Sequence, residues 1–173
     1  MIYRTAERES RRTQTKEIKQ FEIQDKLGEG SYGMVYKVRD RTSGEMQVMK
    51  IIQLNRDNPC EMNEKLQECQ VIKNLRHPYI CRFKQYFVDE NRLCILFEYC
   101  DKGDLDEYIK NQKGLRLSDS RIKKFILELL LAIEHMHSID IIHRDLKPSN
   151  IFLKGKDYTI QVGDFGIACN TGG

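Results

Sequence analysis

The sequence lacks any stretch long and apolar enough to cross a bilayer. Its longest apolar runs, such as Phe125 to Ile133, are interrupted by Glu128 and fall well short of the ~20 residues that a spanning helix needs. The first residues hold no apolar signal core. They do not read as a mitochondrial presequence either, because Arg4, Arg8, Arg11 and Arg12 alternate with Glu7 and Glu9, whereas such presequences are poor in acids. The six cysteines, at 60, 69, 81, 94, 100 and 169, form no CxxC pair and no zinc-site spacing, so they read as reduced thiols in a reducing compartment. There is no excess of one charge: 29 basic against 26 acidic residues give +3, with no aromatic-interleaved basic stripe to mark a nucleic-acid partner. These absences leave a soluble chain, cytoplasmic or nuclear, with no membrane and no nucleic acid. Hydrophobic residues at 40% and charged residues at 32% fit one ordinary globular unit.

Punctuation divides what is there. Residues 1–19 are polar and charged without a repeating apolar face, so a flexible basic arm is expected. From Phe21 short β-type runs follow, Phe21 to Leu27, Met34 to Arg39 and Met46 to Ile52, which predict three antiparallel strands. Leu66, Cys69, Ile72 and Leu75 then recur every three residues, placing one apolar stripe on a helix over Glu61 to Asn74. Two more strands, near Arg82 to Val88 and Arg92 to Glu98, flank the turn Asp89-Glu90-Asn91. Ser118 stands where a cap is wanted for a long helix bearing Ile122, Phe125, Ile126, Leu129, Ala132, Ile133 and Met136. No repeat or low-complexity linker follows residue 19. A strand-rich part therefore precedes a helical part, with the hinge expected near Glu98 to Lys102.

Chemistry is concentrated in a few ordered motifs. Gly28-Glu29-Gly30-Ser31-Tyr32-Gly33 lets a strand-to-strand turn press its backbone amides against phosphates, where a β-carbon would hold the ligand off. A dinucleotide fingerprint needs a helix opening at the last glycine, but Met34 to Arg39 alternates like a strand. Lys50 closes the third strand, and Glu68 sits in the predicted helix, a cation and a carboxylate able to pair. His143-Arg144-Asp145-Leu146-Lys147-Pro148-Ser149-Asn150 is followed by Gly163-Asp164-Phe165-Gly166. Asp145 can take a hydroxyl proton, Lys147 can clamp a phosphate, and Asn150 and Asp164 are oxygen donors for a metal.

This ordered set resembles a eukaryotic-type serine/threonine protein kinase over residues 21–173. Asn150-Ile151-Phe152-Leu153 and Gly163-Asp164-Phe165-Gly166-Ile167-Ala168 are similar to the NIMA-related (Nek) kinases. The resemblance implies an α+β, two-lobe fold: an N-lobe at 20–98 with a five-stranded antiparallel sheet and one helix, then a mainly helical, truncated C-lobe at 99–173. It implies ATP and Mg²⁺ as cofactors and a protein substrate with a Ser/Thr acceptor. Asp145 is then the catalytic base, with Lys147, Lys50 and Glu68 serving the phosphates and Asn150 and Asp164 the Mg²⁺. The adenine lies between lobes, with Val35 and Val48 as ceiling and Phe152 as floor, and Leu27, Gly28, Gly30 and Gly33 complete the ATP site. Phe97 is the gatekeeper, Glu98 and Cys100 offer hinge backbone groups, and Asp104 meets the ribose. Val48 stands where the family usually has alanine, which narrows the ceiling.

Other residues read more plainly. His135 and His137, two apart on a helix, point to different faces and do not form a zinc pair. His143 packs, His77 serves the turn before Pro78, and Cys169 reads as an inert thiol rather than a redox sensor. In the family an activation segment and further helices follow, and Arg144 pairs with a phosphate on that segment. Gly173 is only seven residues past Gly166, so residues 1–173 alone are expected to be poorly stable, prone to association through the long helix, and nearly inactive on peptides. An ATP-binding module that acts through protein contacts, and a defective gene product, are the alternatives to an active kinase.

Overall fold

The computed structural model describes residues 17–30, 33–55, 58–112, 114, 116–165 and 169–170. The arm up to residue 16, Ser31, Tyr32, Gly166 to Ala168 and the Cys169 thiol lie outside the described residues. The chain divides into two compact units, Met1–Lys73 with Phe83–Tyr99, and Asn74–Arg82 with Cys100–Gly173.

In the first unit the β-type runs become β1 (Phe21–Gly30), β2 (Gly33–Asp40), β3 (Met46–Gln53), β4 (Phe83–Asp89) and β5 (Arg92–Glu98). They form one antiparallel sheet in the order β1-β2-β3-β5-β4. Side chains alternate across the pleat, and both faces of the inner strands are covered. Met49, Ile51, Cys94 and Leu96 join Phe21 and Val38 in one cluster. Leu93 and Ile95 face the other way and meet Leu66 and Cys69 of helix α1 (Pro59–Lys73). The expected stripe is the one buried: Leu66, Cys69, Ile72 and Leu75 are all inside.

The β1–β2 turn ends at a glycine that sterics demand. Gly33 has φ +118, and a Cβ there would come within 2.1 Å of the Ile51 carbonyl oxygen. At Gly28 an added Cβ meets nothing within 4 Å.

The second unit holds α2 (Leu105–Lys110) and α3 (Asp119–Ser138), with the short strand pairs β6 (Ile141–Ile142) with β9 (Cys169–Asn170) and β7 (Ile151–Lys154) with β8 (Thr159–Val162). Ser118 caps α3 by accepting the Arg121 N–H. Within the second unit, residues 78–81 are tied to β8. The Cys81 N–H donates to Val162 O and the Val162 N–H to Tyr79 O, both at 2.8 Å, while Gln161 Nε2 donates to Pro78 O.

The buried face of α3 departs from the sequence expectation. Phe125, Ala132 and Met136 are inside with Glu128, whereas Ile122 and Ile126 are exposed, together with Leu127, Leu130 and Leu131. The helix is apolar around most of its circumference, so periodicity alone does not select one face. Glu128 is inside because it has partners there: Oε2 accepts the Ile160 N–H at 3.1 Å and Oε1 pairs with Lys124 at 2.7 Å. Buried carboxylates persist only with such partners.

Two outcomes follow for thermal unfolding. Gly33→Ala should lose more than about 1 kcal/mol, because the native φ and the Ile51 carbonyl both reject a Cβ, while Gly28→Ala should stay within about 0.5 kcal/mol. Glu128→Ala leaves a buried amide without its acceptor and should cost about 1–3 kcal/mol, with Glu128→Gln recovering part of it. Equal melting curves for Gly33→Ala and Gly28→Ala would contradict the first, and a Glu128→Ala curve equal to wild type the second.

Candidate active site

Each unit carries one half of the residues picked out by sequence. In the first, Gly28 lies opposite Val35, Val35 opposite Lys50 and Lys50 opposite Ile95, while Val48 lies opposite Phe97. Directly opposite residues share a face, and so do residues two apart on a strand. Val35, Val48, Lys50 and Phe97 therefore project from one side of the sheet, the side that Ile95 packs against α1. The Lys50 charge is felt there by Cys69: burial pushes that thiol up to about 12, Glu68 adds to the rise, and Lys65 and Lys50 oppose it.

Leu27 falls in a β1 irregularity between Lys26 and Gly28 and is half exposed. Gly30 pairs with Gly33 at the end of the β1–β2 ladder. Glu98 ends β5 opposite Gln47. The described partner of Glu68 is Lys65 at 3.2 Å, one turn earlier on α1. An i,i+3 contact inside a helix is available locally, whereas reaching Lys50 depends on how α1 is seated on the sheet.

In the second unit the catalytic-loop residues converge. His143 is 2% exposed; its Nδ1 accepts the Asp145 N–H at 3.2 Å and its Nε2 lies 2.8 Å from Gly163 O. A ring nitrogen that accepts an amide proton is unprotonated, so Nε2 carries the hydrogen and donates it to the Gly163 carbonyl. Phe165 packs on the same ring at 5.1 Å. Lys147 Nζ donates to Asp145 Oδ2 at 2.9 Å. Asn150 Nδ2 donates to the backbone O and to Oδ2 of the same Asp145, both at 2.9 Å, and the Gly163 N–H donates to Asn150 O at 3.0 Å.

Electrostatics follow from this geometry. The Lys147 hydrogen bond, helped by Asn150, holds the Asp145 carboxyl below the usual aspartate range. Lys147 is held above its ordinary range, first by Asp145 and then by the charge of Asp164. Asp164 is exposed and left-handed, φ +56, a conformation that Asp tolerates better than bulky residues. With both of its amide hydrogens on Asp145, Asn150 presents Oδ1 to any cation. That oxygen and the Asp164 carboxylate are the hard donors that Mg²⁺ selects.

Cys100, Asp104 and Phe152 also meet in this unit. Lys102 N–H donates to Leu153 O and Leu153 N–H to Gly103 O, and Asp104 lies opposite Phe152 in an antiparallel bridge. Asp104 Oδ1 accepts the Glu107 N–H at 2.8 Å as the α2 cap, a role the sequence reading left out. His77 does serve its turn, its Nδ1 accepting the Tyr79 N–H. Sequence reasoning also missed Glu128, whose signal was a lone carboxylate inside an apolar run.

Residues 21–173 match the family model of the protein kinase domain. The chain belongs to the protein kinase family. It is 40% identical over 143 residues to serine/threonine-protein kinase Nek1 of Mus musculus, covering 83% of this chain and 12% of that protein. It is 37% identical over 155 residues to Nek11 of Homo sapiens, 87% of this chain and 24% of the relative. To Nek6 of Oryza sativa subsp. japonica it is 38% identical over 152 residues, 87% of this chain and 28% of the relative. The chain thus spans well under a third of the length of these kinases, and it is Nek-like along most of its own.

The Lys147–Asp145 contact is open to direct titration. Protons must compete with Lys147 for Oδ2, so the Asp145 carboxyl of this kinase chain should titrate below the ordinary 3.8. In Lys147→Met it should move upward toward that value. Carboxyl carbon shifts followed by NMR read both midpoints, and an unmoved midpoint would remove Lys147 as the cause.

Proposed function

We propose that this chain is the ATP-binding and phosphoryl-transfer part of a serine/threonine protein kinase, acting in the cytoplasm or nucleus on a protein substrate with a Ser/Thr acceptor. The observation that carries the proposal is the convergence of Lys147 and Asn150 on one Asp145 oxygen. A carboxylate fixed by two donors and kept ionised can orient a hydroxyl and accept its proton. Lys147 would offset charge on the transferred phosphoryl group, a role that in the family marks the serine/threonine class. Asn150 Oδ1 and the Asp164 carboxylate would hold Mg²⁺, which when bound screens the phosphate oxygens.

In the first unit, Gly28, Gly30 and Gly33 would cover the phosphates and Lys50 would clamp them, steadied by Glu68. Val35 and Val48 would contact the adenine from one side with Leu27, and Phe152 from the other. Phe97 would close the rear, and the backbone of Glu98 and Cys100 would bond the purine edge. Asp104 would offer Oδ2 to the ribose, since its Oδ1 is the atom engaged at the α2 cap.

A second reading is an ATP-binding module without turnover. In it Glu68 stays with Lys65 on its own helix.

Calorimetry and turnover separate the two. Asp164→Ala should weaken Mg-ATP binding, and equal affinity would count against the site. Asp145→Asn keeps the size but removes the base, so phosphoryl transfer should fall by about 10²-fold or more while Mg-ATP binding survives. Binding without transfer in wild type supports the module, and predominant phosphotyrosine contradicts the serine/threonine assignment.

A further inference from the structure

Two buried thiols of the second unit touch. Cys81 Sγ and Cys100 Sγ are 3.8 Å apart, and the two residues are 6% and 8% exposed. Both are pinned to the β7–β8 hairpin by backbone bonds. Cys81 N–H is held by Val162 O at 2.8 Å. Next to Cys100, Asp101 Oδ1 accepts the Gly155 N–H at 2.8 Å and Lys102 N–H donates to Leu153 O at 3.1 Å. The sulfurs therefore stay neighbours without any help from β4 and β5, which lie between them in sequence. Closing 3.8 Å to a bonded pair, about 2.05 Å, is within reach of side-chain rotation when the backbones are fixed side by side.

The other described cysteines lack such a partner. Cys69 and Cys94 are buried apart, with thiols pushed up to about 12 chiefly by burial. Cys60 is exposed beside Glu64, 3.9 Å from its Oε1, and a neighbouring carboxylate disfavours the thiolate that reacts.

The pair also touches the residues placed around the nucleotide. A Cβ built on Gly163 would stand 2.8 Å from the Phe152 ring and 3.1 Å from Cys81 Sγ, so ring and sulfur both lie against this glycine. Gly163 directly precedes Asp164, and its carbonyl receives the His143 hydrogen. Moving the Cys81 sulfur toward Cys100 therefore changes what supports Phe152 and Gly163.

We propose that Cys81 and Cys100 are a redox modification site, closed to an internal disulfide by a low-molecular-weight disulfide such as glutathione disulfide, and that closure weakens Mg-ATP binding. One thiolate attacks a sulfur of the oxidant, forming a mixed disulfide and releasing one glutathione thiolate. The second cysteine then displaces the other glutathione. Two protein thiols are oxidised, one disulfide is reduced to two thiols, and both cysteine protons pass to the departing glutathiones. In a reducing compartment such a bond is transient and reports redox state rather than building the fold. The ATP effect rests on the function proposed above, whereas the bond itself does not.

The test uses the 173-residue chain in graded mixtures of reduced and oxidised glutathione. Remaining thiols are alkylated, the protein is digested, and Mg-ATP affinity is measured before and after dithiothreitol. Expected are an intact mass lower by two hydrogens, a peptide linking Cys81 to Cys100, and affinity about tenfold or more weaker, restored on reduction. Cys81→Ala and Cys100→Ala should each abolish the link; if either fails to fold, the wild-type peptide map decides alone. Folded protein carrying only mixed disulfides, or none, overturns the site. A bond that leaves Mg-ATP affinity unchanged overturns the coupling. A bond formed in a chain that binds no Mg-ATP in either state supports the thiol pair and sinks the nucleotide reading instead.

Discussion

The second unit depends on one neutral imidazole. His143 is buried, and its two nitrogens act in opposite senses, Nδ1 receiving the amide of Asp145 while Nε2 gives its hydrogen to the carbonyl of Gly163. The loop of Asp145 and the loop of Asp164 are thereby joined by a rigid ring. Protonating the ring would turn the acceptor at Nδ1 into a donor facing another donor. The Asn150 carbonyl adds a second tie through the Gly163 amide. Around this frame Asp145, Lys147 and Asn150 are held by local bonds within six residues of one another, so the charge pattern of the loop is set by short-range chemistry.

Much of this was legible in sequence. The five strands stand within a few residues of the β-type runs because period-2 alternation is a local property, and Ser118 caps α3 as its side chain requires. The stripe Leu66, Cys69, Ile72 and Leu75 is buried as read. Long-range choices were not legible. Which side of α3 faces inward depends on β8 and its need for an acceptor at Ile160, and nothing near Glu128 in sequence announces that partner. Residues 74–82 look like a connection between helix and strand, yet the Cys81 amide and the Tyr79 carbonyl both pair with Val162 of β8.

The candidate site divides in the same manner. Residue types and their order identified Asp145, Lys147, Asn150 and Asp164, and three of these meet by hydrogen bonds within one loop. The Lys65 contact of Glu68 was not read, although Lys65 is one helical turn away on the same element. Asp104 was read only toward a ligand, although an Asp three residues before a helical amide is a cap by ordinary local rules.

The outer edge of β8 has a further consequence. A two-stranded hairpin leaves one edge of each strand open, and a row of unpaired amides is a template on which another chain can add a strand. Here the Ile160 amide is occupied by a carboxylate from α3 and the Val162 amide by the Tyr79 carbonyl. A visiting strand would have to displace a buried, lysine-paired carboxylate and a backbone carbonyl at once. Glu128 thus acts as an edge guard, and the apolar helix that carries it stands across the approach to the strand.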